Sequence, residues 1–300
     1  MNAILRTTQL LAAVLVFLFA GLQVSSSQAP DTSASPLTRH YREGERLTYL
    51  MKGSNNGWNY EVQANGIVKK DVVGQLTEEY GWSDFKSTAP MSLSPASLDF
   101  RQTLSLNPAI QPSIPNLSLV QPILIGPITD MLTFYSDLWL AIRQNDLKRP
   151  GDHAYVKVGT PASWADGSYV ILGESSIDFD LTLKEVDSRN QIAALLVKHV
   201  PPAQPKAKLL VPWMLTPVAD TPNNWVQVGK NQSGKYDAMV GKETFDFELK
   251  ISLKDGKILS ATMDNLVQTR QRECTDAALL DCGQPADHQI HRQIELQLVP

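Results

Sequence analysis

Few residues in this chain are spaced for chemistry. Cys274 and Cys282 lie in CTDAALLDC, followed by His288 and His291. A structural zinc site wants its cysteines about two to four residues apart, and C-x7-C-x5-H-x2-H does not supply that spacing. The pair reads instead as a disulfide that closes a short loop, as an oxidising compartment allows. Loop closure of that size contributes about 2–3 kcal/mol. GKNQSGKY, from Gly229 to Tyr236, nearly reproduces the phosphate loop G-x-x-x-x-G-K-[ST]. Tyr236 stands where the magnesium-binding hydroxyl belongs, and the residues after it read as strand rather than the helix the motif requires. A glycine-rich hairpin turn is the expected structure. Asp178 and Asp180 share a strand face and could form a glycosidase pair. Opposite Phe179 and Leu181, they are explained more simply as a solvated face. His40, His153, His199, His288 and His291 are scattered, and neither G-x-S-x-G nor H-E-x-x-H occurs. The expectation is a protein with no catalytic residues, no metal site and no cofactor. A hydrolase whose His153 or His199 meets a nucleophile in space is the third reading. Trp164 and Trp225 sit beside turn residues, where tryptophan anchors a loop or binds a partner.

The elements that must position these residues begin after an N-terminal export signal. Leu10–Leu22 is an unbroken apolar run with Arg6 before it and Ser25-Ser26-Ser27-Gln28-Ala29 after it. That order predicts a secretory signal peptide over 1–29. The run falls short of the about 20 residues a membrane span needs, so an uncleaved anchor is the weaker alternative. Residues 30–40 are expected as a flexible leader and 41–300 as a single β-rich domain, exported to the periplasm or beyond, with no transmembrane segment after signal removal. Loss of Arg6 takes the formal charge from −4 to −5, one cation fewer. Mild acidity argues against a nucleic-acid partner, which requires a basic stripe.

Strand patterns dominate. Phe245, Phe247, Leu249, Ile251 and Leu253 alternate with Asp246, Glu248, Lys250 and Ser252, giving one dry and one wet face. A three-residue loop Lys254-Asp255-Gly256, with Gly256 left-handed, pairs Ile251 with Leu259, Leu249 with Ala261 and Phe247 with Met263. Further strands are expected at 46–52, 58–64, 66–73, 97–105, 153–159, 168–173, 176–186, 191–199, 224–229, 235–241 and 289–299. In the last, Arg292 shares a face with Ile290, Ile294, Leu296 and Leu298. One buried helix is expected over about 127–145, starting at Pro127 and carrying Ile128, Met131, Leu132, Tyr135, Leu138, Trp139 and Ile142 as its apolar stripe. Two proline-rich stretches, around 104–127 and 199–222, cannot pair as central strands yet are apolar. They must cover an apolar surface or bind something.

The start of the domain, Gly44-Glu45-Arg46-Leu47-Thr48-Tyr49 with a turn at Gly57-Trp58, resembles a bacterial periplasmic family of unknown function that begins with a G-E-x-L-x-Y strand. That family is similar to lipoprotein-carrier half-barrels. The resemblance implies a mainly β fold: a strongly curved antiparallel sheet or half-barrel with helical cover over an apolar concavity. The surplus of apolar residues in non-strand segments points to a non-catalytic envelope protein that binds an apolar or amphipathic ligand, with a lipid, a lipoprotein or another envelope protein as the expected partner. Phe247, Ile251, Met263, Trp139, Trp213 and Met214 are the expected lining. The alternative is a structural or protein-interaction module of the envelope, in which the same residues are core.

Overall fold

The computed structural model describes residues 35–55, 58–88, 99–107, 109–113, 115–117, 120–159, 163–166, 169–204 and 207–300. The expected signal peptide and the first part of the expected leader lie outside the described residues, as does the Gly57 turn. The strands are β1 (Arg46–Asn55), β2 (Trp58–Lys70), β3 (Leu76–Ser87), β4 (Arg101–Ser105), β5 (His153–Gly159), β6 (Ser163–Asp166), β7 (Tyr169–Leu172), β8 (Ser176–Asp187), β9 (Ile192–Val200), β10 (Trp225–Lys230), β11 (Tyr236–Ser252), β12 (Ile258–Cys274) and β13 (Ala286–Val299). They join one 13-stranded sheet, which is not closed. The fold is mainly β with a single α-helix among the described residues, as the sequence predicts.

The sheet runs β4-β3-β2-β1-β13-β12-β11 and then forks. One edge of β11 pairs with β12. The other is shared: Tyr236–Gly241 pairs with β10, and Asp246–Ser252 pairs with β9. One branch continues through β7 and β6, the other through β8 and β5.

The fork matters because the buried face of β11 changes along its length. Ala238 and Val240 are buried near one end; Phe247, Leu249 and Ile251 are buried near the other. The pairing with β12 keeps one register from Tyr236 to Lys250. Since side chains alternate along a strand, the two sets point to opposite faces. The sheet therefore carries two cores. The second is closed by the proline-rich segment. Met214 is buried there, with Trp213, Leu209, Val211 and Val218 partly so, against Val226, Ala238, Val240 and the Cys274–Cys282 disulfide. Asn223 holds this segment in place of strand pairing: its Nδ2 donates to the carbonyls of Met214 and Thr216, and its Oδ1 accepts from Val218 N.

The first core joins the helix α1 (Pro122–Ile142) to β4, β3, β2, β1, β13, β12, β11, β9 and β8. Laid flat, nine strands at about 4.8 Å spacing would span far more than the about 10 Å width of a helix. The sheet reaches it by bending around it. Rows of paired residues cross the concavity, for example Leu183–Leu195–Leu249–Ala261–Leu296–Met51–Val62. Fully burying each large member stabilises by about 1.5–3 kcal/mol.

Several expectations change in detail. The helix spans Pro122–Ile142 rather than about 127–145. Pro122 takes the first helical turn, where the missing N–H costs nothing. Pro127 lies inside the helix. The helix stops before the expected Lys148-Arg149-Pro150-Gly151 cluster: Arg143 caps it, and Gln144 N closes a tighter turn onto Ala141 O. The segments 58–64 and 66–73 are one strand, β2, continuous through Gly66. A Cβ there would lie 2.6 Å from the Tyr80 ring, so only glycine fits. β3 and β6 are strands the sequence did not reveal. In the β11–β12 hairpin, Phe247 pairs with Met263 and Leu249 with Ala261 as expected, but a bulge pairs Ile251 with Ile258 instead of Leu259. Gly256 has φ +71°, and a Cβ on it would meet Arg39 Cα at 2.4 Å. This close approach comes from residues 35–40 of the expected leader, which pack here: Leu37 is buried and His40 N donates to Asp255 O.

Candidate functional site

The six expected lining residues do not share one space. Phe247, Ile251 and Met263 lie on the concave face under α1, at 3, 0 and 6% exposure. Phe134 of α1 meets the Phe247 ring edge-on at 6.2 Å. Trp139 is half-buried on α1, its ring 4.9 Å from the Arg143 guanidinium. Met214 and Trp213 belong to the second core, on the opposite face, where Trp213 Nε1 donates to Leu279 O. Met214 and Trp213 thus cover the sheet's second face, whereas Ile110, Leu210 and Leu215 of the two proline-rich stretches are exposed.

What the concavity does hold is polar and buried. Glu78 on β3 is fully buried. Its Oε1 lies 2.7 Å from the Tyr80 hydroxyl and its Oε2 lies 2.8 Å from the Tyr135 hydroxyl of α1. The two hydroxyls also contact each other. Three contacts in a ring need three protons, and the hydroxyls bring two. A protonated Glu78 supplies the third. Burial pushes its carboxyl up in the same direction, against the hydroxyl donors and Arg39. Desolvation likewise raises Tyr80 and Tyr135 well above the usual phenol value. Beside the ring, Tyr49 donates to Ile258 O and Gln102 Nε2 donates to Ile128 O of α1.

A second chain of polar groups ties the middle of α1 to the fork. Nη2 of Arg292 on β13 contacts both carboxylate oxygens of Asp130 of α1, at 2.9 and 3.0 Å, and Tyr60 donates to Asp130 at 3.3 Å. The Asp130 charge holds the Arg292 guanidinium above its ordinary value. Arg292 also reaches Asn265 Oδ1, Asn265 Nδ2 donates to Glu243, and Asn224 pairs with the Glu243 backbone. At the fork, Glu174 between β7 and β8 lies 3.1 Å from His199 of β9, whose ring stacks on Phe245 at 4.6 Å. These groups brace the two branches where β11 changes partner.

The motifs weighed for catalysis take ordinary structural places among the described residues. Gly229–Tyr236 is the β10–β11 hairpin, with Gly234 at φ +82° and Asn231 Oδ1 accepting from Ser233 N and Lys235 N. Asp178 and Asp180 lie across from Lys157 and Tyr155 on β5. His153 is exposed and 3.8 Å from Asp180; His291 bonds Asp264 on the outer surface. Among the described residues no group of three or more His, Cys, Asp or Glu could hold a metal ion. No helix among them is long and apolar enough to cross a membrane. Two open depressions, of about 470 and 370 Å³, lie on the surface: Lys52, Glu61 and Lys86 line one with Tyr60, and Lys198, Asp246 and Glu295 line the other together with the expected Phe247 and Met263.

Sequence reasoning missed Glu78 and Tyr80 because β3 itself was missed. The available signal was period two in Glu78-Tyr80-Trp82, which a carboxylate at a core position disguises. No family model and no curated protein matches the chain.

Proposed function

We propose that this protein is a non-catalytic structural or protein-interaction module of the cell envelope, a curved sheet filled by its own helix. The observation that supports it best is the burial of Phe247, Ile251 and Met263 against α1. A carrier of the kind the opening strand resembles needs an apolar pocket of about 300 Å³ or more. The two depressions described above are of that size, but both are open, and charged residues share their lining with apolar ones such as Phe247 and Met263. The envelope location rests on the export signal read in residues 1–29 and on the Cys274–Cys282 disulfide.

A second reading, uptake of an apolar or amphipathic ligand by displacing α1, draws on one feature. Asp137 of α1 is 2% exposed, with Oδ2 lacking a partner, which weakens helix docking. The two readings differ in whether α1 opens. Hydrogen exchange of its amides with and without lipid separates them: unchanged, strong protection supports the filled module, and lipid-dependent exchange overturns it.

A further inference from the structure

The β2–β3 hairpin ends in Lys69-Lys70-Asp71-Val72-Val73-Gly74-Gln75. Val72 is 103% exposed and Val73 72%. The turn that presents them is fixed. Asp71 N donates to Gln75 O at 2.8 Å and Gly74 N to Asp71 O at 3.0 Å. Asp71 Oδ1 accepts from Val73 N and Gln75 N, and Gly74 has φ +81°.

Turns of this kind favour Asn, Asp, Ser and Gly at their tips, and β-branched residues suit strands. The same molecule shows the alternative. The β10–β11 turn Asn231-Gln232-Ser233-Gly234-Lys235 repeats the bonds: Asn231 N to Lys235 O at 2.8 Å and Gly234 N to Asn231 O at 3.0 Å. Asn231 Oδ1 caps it as Asp71 Oδ1 caps the first, and Gly234 has φ +82°. Its tip residues are Gln and Ser. The geometry therefore does not require Val72 and Val73, and no core contains them.

Their surroundings indicate the partner. Lys69 and Lys70 precede the tip at the end of β2, half-exposed and paired with Glu79 and Glu43 by surface bridges that are worth little and are easily exchanged, while the Asp71 carboxylate is engaged by the turn's own amides. Leu106 N bonds Leu76 O, so the loop after β4, with Ile110 44% exposed, leaves the sheet at this same end. The described chain also arrives here, with Gly44 N bonded to Val68 O beside the hairpin. A hairpin tip offers neither a groove nor a row of open strand bonds, so its contact is non-directional.

We propose that the Val72–Val73 tip is a membrane-contact element that inserts both valines into the interfacial zone of an anionic lipid surface, with Lys69 and Lys70 against headgroup phosphates. This surface is remote from the filled core, so the proposal stands whether or not α1 opens. Flotation of the full chain with mixed phosphatidylcholine–phosphatidylglycerol vesicles tests it. The variant V72Q/V73S copies the sibling turn and so keeps the hairpin, which an unchanged melting curve checks. Wild type is expected to float and the variant to partition about tenfold or more weakly. A polarity-sensitive dye on Val73→Cys is expected to shift to the blue with vesicles, less so at high salt. Wild type that stays unbound, a variant that binds equally, or an unshifted dye would each overturn the proposal.

Discussion

Glu78→Gln is expected to stabilise the protein, and increasingly so as pH rises. The amide of Gln can donate one proton to Tyr80 and accept from Tyr135, so it closes the same three-membered ring as a neutral Glu78. Folding raises the Glu78 carboxyl through burial. A carboxyl raised on folding contributes fully below its unfolded value, about 4.3. That contribution is lost as pH climbs through the raised native value. Over that window wild type loses about 1.4 kcal/mol per pH unit relative to the Gln variant, which carries no such proton. Tyr135→Phe provides the contrast. It removes a hydroxyl from the ring and leaves its partners buried, at a cost of about 1–3 kcal/mol even at acid pH. In a domain of this size each kcal/mol moves the melting temperature by about 2–4 °C. Urea unfolding followed by circular dichroism, at several pH values between about 4 and 8, reads both. A Gln variant destabilised at neutral pH, or a difference from wild type that stays flat with pH, would refute the neutral-acid ring.

Three further outcomes are expected. Asp137→Asn is expected to gain stability over wild type as pH rises, because burial alone pushes the Asp137 carboxyl well above its usual range; equal pH profiles of the two proteins would contradict this. Replacing Cys274 and Cys282 with Ala should lower stability by about 2–3 kcal/mol and loosen the second core around Met214. Reduction of the native protein should raise its intact mass by about two units, from the two hydrogens a disulfide lacks; two free thiols before reduction would remove the clasp from the account.

The legible parts of the fold were those where one residue type fills one face. The Phe245–Leu253 alternation and the glycine turn at Gly256 led to a β11–β12 register correct at Phe247–Met263 and Leu249–Ala261. β3 was illegible because its buried face reads Glu78-Tyr80-Trp82, and a carboxylate at a core position breaks the binary pattern. The helix start was misplaced because two prolines, Pro122 and Pro127, both suit a first turn, and tertiary packing of Leu124 and Ile128 tolerates the second inside the helix. The candidate lining was legible as apolar and illegible as a place. Nothing in the Tyr236–Ser252 sequence shows that its partner changes from β10 to β9, so the inversion of its buried face could not be read. For the same reason Trp213 and Met214 were grouped with Phe247, although a sheet stands between them.

The claim that the concavity is permanently filled is tested most directly by hydrogen exchange across residues 122–142. Amides of α1 are expected to exchange only through global unfolding, as core elements do. Fatty acid or phospholipid added in excess is expected to leave their protection unchanged. Exchange of α1 through a separate, low-energy opening, or protection that shifts when lipid is added, would contradict the account and make the helix a displaceable plug.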